Sequence, residues 1–314
     1  MIINKKLVKL FSNVTEKAAC GAFLFKGKND KIGADQAAVD GMRNQLNLIN
    51  IKGSIVIGEG EMDEAPMLYV GEKVGTQKGE SFDIAVDPLE GTNFTAKNLP
   101  NAFSVLAAAK KGDLLKAPDM YMDKIAVGKN LPKNVVDLDF GTKKNIENLC
   151  EAKNTTPDKI TACILKRPRH QSIIDILKLM NVKIKFIDDG DVSGVISVAY
   201  PKLNVDIYIG IGGGPEGVLS AAALHCLDCQ IQTRLVITDD SEVKKLKNFG
   251  ISDSNKKYNI EDMVKNDVIF CATGVTDGEL VKGVKDCGNF FETETFILHK
   301  SNKLNEITKN KINK

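Results

Sequence analysis

Two carboxylates and a hydroxyl follow a short apolar segment of the chain, at Asp87, Glu90 and Thr92. The segment itself, residues 82–86, predicts a buried strand, and Gly91 allows the tight turn that brings the three side chains into one small volume. Two carboxylates at such a short distance repel each other unless a cation lies between them. Hard oxygen ligands select Mg²⁺ or Mn²⁺, ions that commonly also hold substrate phosphates. These residues therefore predict metal-dependent phosphate chemistry.

A second acidic segment, residues 58–66, follows the apolar run 54–57 and places its acids among glycines. Glu59 and Glu61 fall on the same side of the chain if it stays extended. Taken alone, this segment is equally well explained as a solvated acidic loop. Together with the first segment, it predicts metal ligands and a carboxylate that accepts a proton from water.

A glycine-rich turn, residues 210–217, lies between a predicted strand at 205–209 and a helical pattern that starts near Val218. The N-terminus of such a helix offers free N–H groups and a positive dipole end, both of which suit a phosphate. Glu216 lies in the turn and would add a metal ligand. The turn therefore favours a metal and phosphate site.

The same turn has a second interpretation. Its glycines at 212, 214 and 217 satisfy G-x-G-x-x-G, the dinucleotide-binding fingerprint. Asp239 follows a predicted strand at 235–237, about where a ribose-binding acid would lie. Pro215 stiffens the turn, however, and Glu216 would place a negative charge beside a pyrophosphate, so we prefer the metal and phosphate site.

Two further turns carry charge at the ends of predicted strands. Arg167, Pro168 and Arg169 follow the apolar run 161–165. Arg side chains suit phosphate oxygens, although an ordinary basic surface turn would have the same sequence. Residues 188–191 hold three Asp around one Gly, and these could accept hydrogen bonds from sugar hydroxyls or cap a helix.

Short β-rich runs alternate with helical patterns along the chain, which predicts an α/β layered protein with covered sheets. We expect an N-terminal α/β half at residues 1–127, which carries the acidic loops. The C-terminal half at 128–314 would carry the substrate loops and the glycine-rich turn, and the two halves could also form one continuous domain. The Lys- and Asn-rich tail after His299 predicts a loosely held segment.

The composition excludes several classes of protein. The chain has 314 residues with 43 Lys and Arg against 41 Asp and Glu, so charge gives no argument for nucleic acid or an anionic membrane. No apolar run approaches the roughly 20 residues of a membrane span. The N-terminus lacks the apolar core and cleavage site of a secretory signal, so we expect a cytoplasmic protein with reduced cysteines.

In this order, the motifs resemble the class II fructose-1,6-bisphosphatases of the GlpX type, within the wider lithium-sensitive, inositol monophosphatase-like sugar phosphatase superfamily. The resemblance spans roughly residues 5 to 298. Inositol monophosphatases share the Asp-Pro-x-x-Gly-Thr box but not the Gly-Gly-Gly-Pro-Glu-Gly loop. The residues that carry the resemblance are Asp30-Lys31, residues 34–39, Gly58-Glu59-Gly60-Glu61, residues 87–92, Tyr121-Met122-Asp123-Lys124, Arg167-Pro168-Arg169-His170, Asp189-Gly190-Asp191 and residues 212–217.

The resemblance implies an αβαβα sugar-phosphatase sandwich that hydrolyses the 1-phosphate of fructose 1,6-bisphosphate, a gluconeogenic step, with two Mn²⁺ or Mg²⁺ ions per active site. It also implies a homo-oligomer, a dimer or a tetramer. The implied metal ligands are Asp35, Glu59, Asp87, Glu90 and Glu216. The implied substrate contacts are Glu90, Gly91, Thr92, Tyr121, Arg167, Pro168, Arg169, Asp189, Gly190, Asp191 and Gly213.

These assignments suggest a mechanism as a hypothesis. Thr92 would orient the attacking water and pass its proton towards Glu59 or Glu61, because a hydroxyl is both donor and acceptor. Lys31 would offset charge on the phosphate. A covalent phosphothreonine is the other role that the sequence leaves open for Thr92. Alternative functions are a phosphatase for sedoheptulose 1,7-bisphosphate or an inositol phosphate, and a dinucleotide-binding module.

Overall fold

The computed structural model describes residues 2–58 and 67–314, and the chain divides into two compact units. Unit 1 comprises Met1–Asp119 and Val264–Lys314, and unit 2 comprises Met120–Met263. The described strands are β1 (Ile51–Ile57), β2 (Lys73–Val74), β3 (Glu80–Glu90), β4 (Phe103–Lys110), β5 (Tyr121–Val127), β6 (Thr161–Leu165), β7 (Lys183–Ile187), β8 (Ile207–Gly213), β9 (Gln230–Leu235), β10 (Lys257–Asn259), β11 (Val268–Gly274), β12 (Lys285–Asp286), β13 (Phe290–His299) and β14 (Leu304–Asn313).

The described helices are α1 (Lys5–Phe23), α2 (Lys31–Leu46), α3 (Thr92–Ala96), α4 (Gly141–Lys153), α5 (Gln171–Leu179), α6 (Asp191–Ile196), α7 (Gly214–Cys226), α8 (Asp240–Asn248) and α9 (Ile260–Met263). None of them is long and apolar enough to span a membrane. The boundary expected after residue 127 falls at the end of β5, inside unit 2, whereas the chain leaves unit 1 after Asp119.

Unit 1 is a helix layer on a mixed sheet with the strand order β12-β13-β11-β4-β3-β1-β2, to which β14 adds beside β13. The α1 helix begins after Asn4, whose side chain accepts a hydrogen bond from the Lys6 N–H at 2.9 Å. Phe11 on the apolar face of α1 packs edge-on against Phe82 of β3, with ring centroids 5.8 Å apart. Burial of this face stabilises the helix against the sheet.

Unit 2 is an αβα unit around the sheet β10-β9-β5-β8-β6-β7. Side chains alternate between the two faces of a strand, and β5 illustrates this. Ile125 and Val127 join a core cluster with residues of α4 and α5. Met122 and Lys124 instead lie beneath Gly217 of α7. Helices therefore cover both faces of this sheet, and the predicted α/β layered fold is confirmed, consistent with a sugar-phosphatase sandwich.

The tail after His299 is ordered, so the prediction of a loosely held segment is wrong. All ten residues of β14 pair antiparallel with β13. The strand is polar because it forms the edge of the sheet, where Lys309 and Lys311 are exposed. Leu304 and Ile312 of this strand pack against the core cluster of unit 1, and Asn310 donates a hydrogen bond to Glu16 Oε1 at 2.7 Å. Backbone pairing, which the low apolar content of the tail does not reveal, thus holds this segment.

Candidate active site

The first part of the site is a bulge at the end of β3. Asp87 is opposite Val105 and Glu90 is opposite Phe103, so three steps along β3 match two along β4. The extra residue turns the strand, as such bulges do near functional sites. Asp87 and Glu90 are 6% and 4% exposed, and Asp87 Oδ1 accepts a hydrogen bond from the Leu89 N–H at 3.0 Å. The sequence therefore places two buried carboxylates at one strand end.

Gly91 converts this strand end into a helix start. Its φ of +83° lies in the left-handed region, which a residue with a side chain adopts only with strain. Its carbonyl accepts hydrogen bonds from the N–H groups of Phe94 at 2.8 Å and Thr95 at 3.1 Å. Thr92 is the first residue of the short helix α3 and is half-buried. The threonine hydroxyl thus follows Glu90 by a single sharp turn.

The N-terminus of α2 is tied to the same region. Asp30 caps α2 by accepting a hydrogen bond from the Gly33 N–H at 2.8 Å, and Lys31 is exposed in the first turn. The preceding turn donates two hydrogen bonds to carbonyls of α3, from Gly27 at 2.9 Å and Asn29 at 2.8 Å. Because α2 also packs against α3 and β3, these contacts hold Lys31 and Asp35 to the segment that carries the bulge.

The environment of the Asp35 carboxylate indicates whether unit 1 could bind a cation. Its Oδ1 is buried, and no residue in the described part of the chain donates a hydrogen bond to it. Burial raises the pKa of this carboxyl. A buried carboxylate oxygen without a hydrogen bond is what a divalent cation would satisfy, and Asp87 and Glu90 supply the same hard oxygen donors. The chemistry of these three side chains therefore fits Mg²⁺ or Mn²⁺.

The five predicted metal ligands do not all appear as one cluster. Glu59 lies outside the described residues, as does the predicted catalytic Glu61. Within 2–58 and 67–314, no three Asp, Glu, His or Cys side chains come together as a metal site. Of the predicted metal ligands in unit 1, the structure therefore describes Asp35, Asp87 and Glu90.

In unit 2, three loops meet at one edge of the sheet. Strands β6, β7 and β8 are parallel neighbours, so their carboxyl ends lie on the same side. The loops that follow them carry the predicted substrate residues, in the order 167–169, 189–191 and 213–216. Antiparallel β5 starts at this edge, where Tyr121 is opposite Gly213. Ligands of open α/β sheets commonly bind outside such strand ends.

The glycine-rich turn at this edge is shaped by close approaches. A Cβ on Gly213 would lie 2.0 Å from Glu216 Oε2, so the Glu216 carboxylate folds back over this glycine. The Gly214 N–H donates a hydrogen bond to the Met120 carbonyl at 2.6 Å, and Glu216 lies in the first turn of α7. Glycine at 213 therefore leaves room for this position of the Glu216 carboxylate.

The arginine turn lies against β8 and the start of β5. Pro168 begins a 3₁₀ turn, and Arg167 precedes it with its Nη1 donating to the Lys166 carbonyl at 3.1 Å. The guanidinium of Arg169 lies 4.8 Å from the centre of the Tyr121 ring. Arg169 also donates to the Ile211 carbonyl, from Nη2 at 2.8 Å and from Nε at 3.2 Å. Two supports thus fix a surface cation beside an exposed aromatic ring.

Asp191 begins α6 after Gly190, whose φ is +78°. Its side chain is buried, and its Oδ2 forms an ion pair with Lys124 Nζ, which is fully buried on β5. Asp191 Oδ1 has no hydrogen bond from the described residues and keeps acceptor capacity. Asp189, by contrast, is only half-buried in the same loop. The two aspartates of this turn therefore differ in environment.

Three residues that support this edge were not predicted to have a role from the sequence. They are Lys124, His170 and Tyr208, and all are buried. Burial and the nearby Asp191 carboxylate raise the pKa of the Tyr208 phenol well above its usual value, so the phenol stays protonated. One signal for Lys124 was available, since a lysine directly before the apolar run 125–127 of a strand must either reach solvent or find a carboxylate.

We expect Gly212→Ala to destabilise unit 2. A Cβ at this position would lie 1.8 Å from Asp191 Oδ2 and 3.1 Å from Lys124 Nζ, both of which are fixed in the buried ion pair. The free energy of unfolding should fall by about 1–3 kcal/mol, as for other overpacked sites. Urea denaturation followed by circular dichroism measures this, and an unchanged midpoint would show that the pair can move aside.

The comparisons with known proteins decide the family. Residues 5–311 match the family model described as bacterial fructose-1,6-bisphosphatase, glpX-encoded. The chain is 42% identical to a class 2 fructose-1,6-bisphosphatase of Haemophilus influenzae, across 94% of this chain and 92% of the relative. It is 43% identical to class 2 fructose-1,6-bisphosphatase 1 of Escherichia coli, with the same coverage. This chain belongs to the glpX-encoded fructose-1,6-bisphosphatase family. The predicted relationship is therefore confirmed, and the family is one of metal-dependent phosphatases.

Family membership and topology both argue against the dinucleotide interpretation. Strands β8 and β9 are each antiparallel to β5, which lies between them. A dinucleotide-binding turn would instead lead through its helix to a neighbouring parallel strand. Asp239, the candidate ribose ligand, caps α8 by accepting hydrogen bonds from the N–H groups of Ser241 at 2.8 Å and Glu242 at 3.1 Å. The glycine spacing is thus a coincidence of close packing.

Proposed function

We propose that this chain hydrolyses the 1-phosphate of fructose 1,6-bisphosphate to give fructose 6-phosphate and phosphate, with two Mn²⁺ or Mg²⁺ ions per active site. The observation that carries the proposal is the family match over residues 5–311, together with relatives of 42–43% identity that are named as class 2 fructose-1,6-bisphosphatases.

The residues proposed to hold the ions are Asp35, Glu59, Asp87, Glu90 and Glu216. The buried Asp35 oxygen and the buried carboxylates of Asp87 and Glu90 support this assignment. When bound, such ions supply Lewis acid stabilisation of charge on the phosphate oxygens. The carboxylates would hold the ions, which would in turn bind the substrate phosphate.

Thr92 is proposed to orient the attacking water and pass its proton towards Glu59 or Glu61. Its place in the chain supports this role, because only Gly91 separates it from Glu90, a proposed metal ligand. Lys31 is proposed to offset charge on the same phosphate. It is exposed at the start of α2, in the segment that hydrogen bonds to α3.

The distal 6-phosphate is assigned to Arg167 and Arg169. A guanidinium suits this role because its N–H groups form a planar fork that matches phosphate oxygens. Tyr121, Asp189 and Asp191 are proposed to contact the sugar, and their place at the sheet edge where β5 starts and the loop after β7 lies supports this. Gly91, Pro168, Gly190 and Gly213 are proposed as further substrate contacts.

Phosphate release from fructose 1,6-bisphosphate tests the function. We expect release with Mn²⁺ or Mg²⁺ that EDTA abolishes, and a much lower rate on inositol 1-phosphate, which has no second phosphate for the arginine turn. The rate of phosphate release from sedoheptulose 1,7-bisphosphate in the same assay shows whether the site also accepts a longer sugar. Folded protein that releases no phosphate from fructose 1,6-bisphosphate with either ion would overturn the substrate assignment.

The proposed homo-oligomer and cytoplasmic location stay predictions. Light scattering after size exclusion chromatography would measure the oligomer, for which we expect a dimer or a tetramer.

A further inference from the structure

His170 is fully buried directly after the arginine turn, and both of its ring nitrogens bind backbone groups. Nδ1 lies 2.7 Å from the carbonyl oxygen of Leu165, at the end of β6. Nε2 accepts a hydrogen bond from the Ile211 N–H at 2.8 Å, on β8. Because Nε2 is an acceptor, the proton of the neutral ring must be on Nδ1, which donates to Leu165. The ring therefore joins two neighbouring strands in one tautomer.

The same residue of β8 also supports Arg169. The Ile211 N–H donates to His170, and the Ile211 carbonyl accepts from Arg169. Two consecutive residues of the turn thus hold both polar groups of a single backbone position. The neighbouring Gly210 has a φ of +147°, and a Cβ there would lie 3.1 Å from Nε2. Glycine at 210 therefore lets the imidazole approach the strand.

We propose that His170 is a positioning residue that fixes the arginine turn to β8 and so holds the Arg169 guanidinium over Tyr121, in place for the distal phosphate of the substrate. The inference rests on the proposed function only in the role given to Arg169. The structural part, a neutral histidine that joins β6 to β8, is independent of the substrate.

The arrangement has a direct consequence at acid pH. Burial lowers the pKa of His170, and the positive charge of Arg169 lowers it further. The hydrogen bond to the Leu165 backbone and the Asp191 carboxylate raise the pKa, but the net shift is downward. Protonation would place a second N–H against the Ile211 N–H and break that hydrogen bond. The pKa of His170 is thus lower in the folded protein than in the unfolded chain, so the neutral ring stabilises the fold at high pH. This stabilisation is lost as the pH falls below about 6.5, the ordinary pKa of histidine.

The test compares two substitutions of His170. His170→Phe fills a similar volume but removes both hydrogen bonds. We expect its KM for fructose 1,6-bisphosphate at pH 8 to rise by about tenfold or more with kcat nearly unchanged, since phosphate binding is lost equally from the ground and transition states. His170→Gln retains one donor and one acceptor and does not titrate. It should restore a KM close to that of the wild type.

The pH profile separates this role from ordinary core packing. As the pH falls below about 6.5, the ordinary histidine pKa, the wild-type KM should rise by more than that of His170→Gln, while the matched control His225→Gln should follow the wild type. Equal profiles for wild type and His170→Gln, over a pH range in which the ¹⁵N NMR signals of His170 titrate, would overturn the proposal, even if His170→Phe fails to fold. An unchanged KM in a folded His170→Phe protein would also overturn it.

A second measurement does not depend on activity. The chain has three histidines, so ¹⁵N NMR of the imidazole nitrogens can assign His170 by its loss in His170→Gln. We expect the neutral Nδ1–H tautomer, and the Nε2–H tautomer would overturn the proposal. If the wild type releases no phosphate from fructose 1,6-bisphosphate but the NMR result holds, the proposed function fails and the joining of β6 to β8 stands.

Discussion

Thr92→Ala is expected to lower kcat for fructose 1,6-bisphosphate by about two to four orders of magnitude, the range typical of a lost proton-transfer group. The hydroxyl is the group that we propose to orient the attacking water, and it follows Glu90 by one turn. Metal binding should be largely retained, because the proposed carboxylate ligands are unchanged. Steady-state kinetics at saturating Mn²⁺ and calorimetric titration of Mn²⁺ measure the two effects separately.

Thr92→Ser is the matched control for this experiment. Serine retains the hydroxyl and should keep kcat within about tenfold of the wild type. A folded Thr92→Ala protein with wild-type kcat would show that Thr92 has no part in proton transfer. Mass spectrometry of the enzyme during turnover distinguishes the remaining role, because a covalent phosphothreonine would add the mass of a phosphoryl group.

Lys124→Met should give the largest loss of stability. It leaves the Asp191 carboxylate buried without the cation that now neutralises it. Removing one partner of a buried ion pair costs about 3–5 kcal/mol of unfolding free energy. Urea denaturation in the presence of EDTA measures the change without a contribution from metal binding.

The double variant Lys124→Met, Asp191→Asn tests the cause of that loss. It removes both charges, so most of the stability should return, since a neutral replacement of a buried pair is often tolerated. If Lys124→Met alone is within about 1 kcal/mol of the wild type, the ion pair is not required by the fold. If the double variant is as unstable as the single one, packing of the lysine stem and not charge is the cause.

These two experiments address different parts of the molecule. Thr92 belongs to unit 1, where a bulge and a left-handed glycine separate it from the strand end that carries buried Asp87 and Glu90. Lys124 belongs to unit 2, where a buried cation lies beneath the glycine-rich turn. A loss of kcat with normal stability is expected from the first substitution, and a loss of stability from the second.

Local sequence determined much of the site. The carboxylates at the end of β3, the glycine that starts α3 and the charged turns after β6 and β7 were all predicted from residue types and spacing. Such features are predictable because strand ends, tight turns and helix caps depend on a few adjacent residues. The family resemblance rested on the order of these motifs, and the α/β layered fold was predicted from the alternation of β-rich runs with helical patterns.

Only the tertiary structure decided which polar residues are buried and what they contact. Lys124 meets Asp191 from 67 positions away, and His170 meets the Ile211 N–H from 41 positions away. The tail became β14 because β13 offers it a full set of backbone partners, which its own composition does not encode. The sequence by itself therefore determined the chemistry that each loop can supply. The pairing of strands decided which lysine, histidine and edge strand hold those loops in place, because a buried polar group is stable only where distant residues satisfy it.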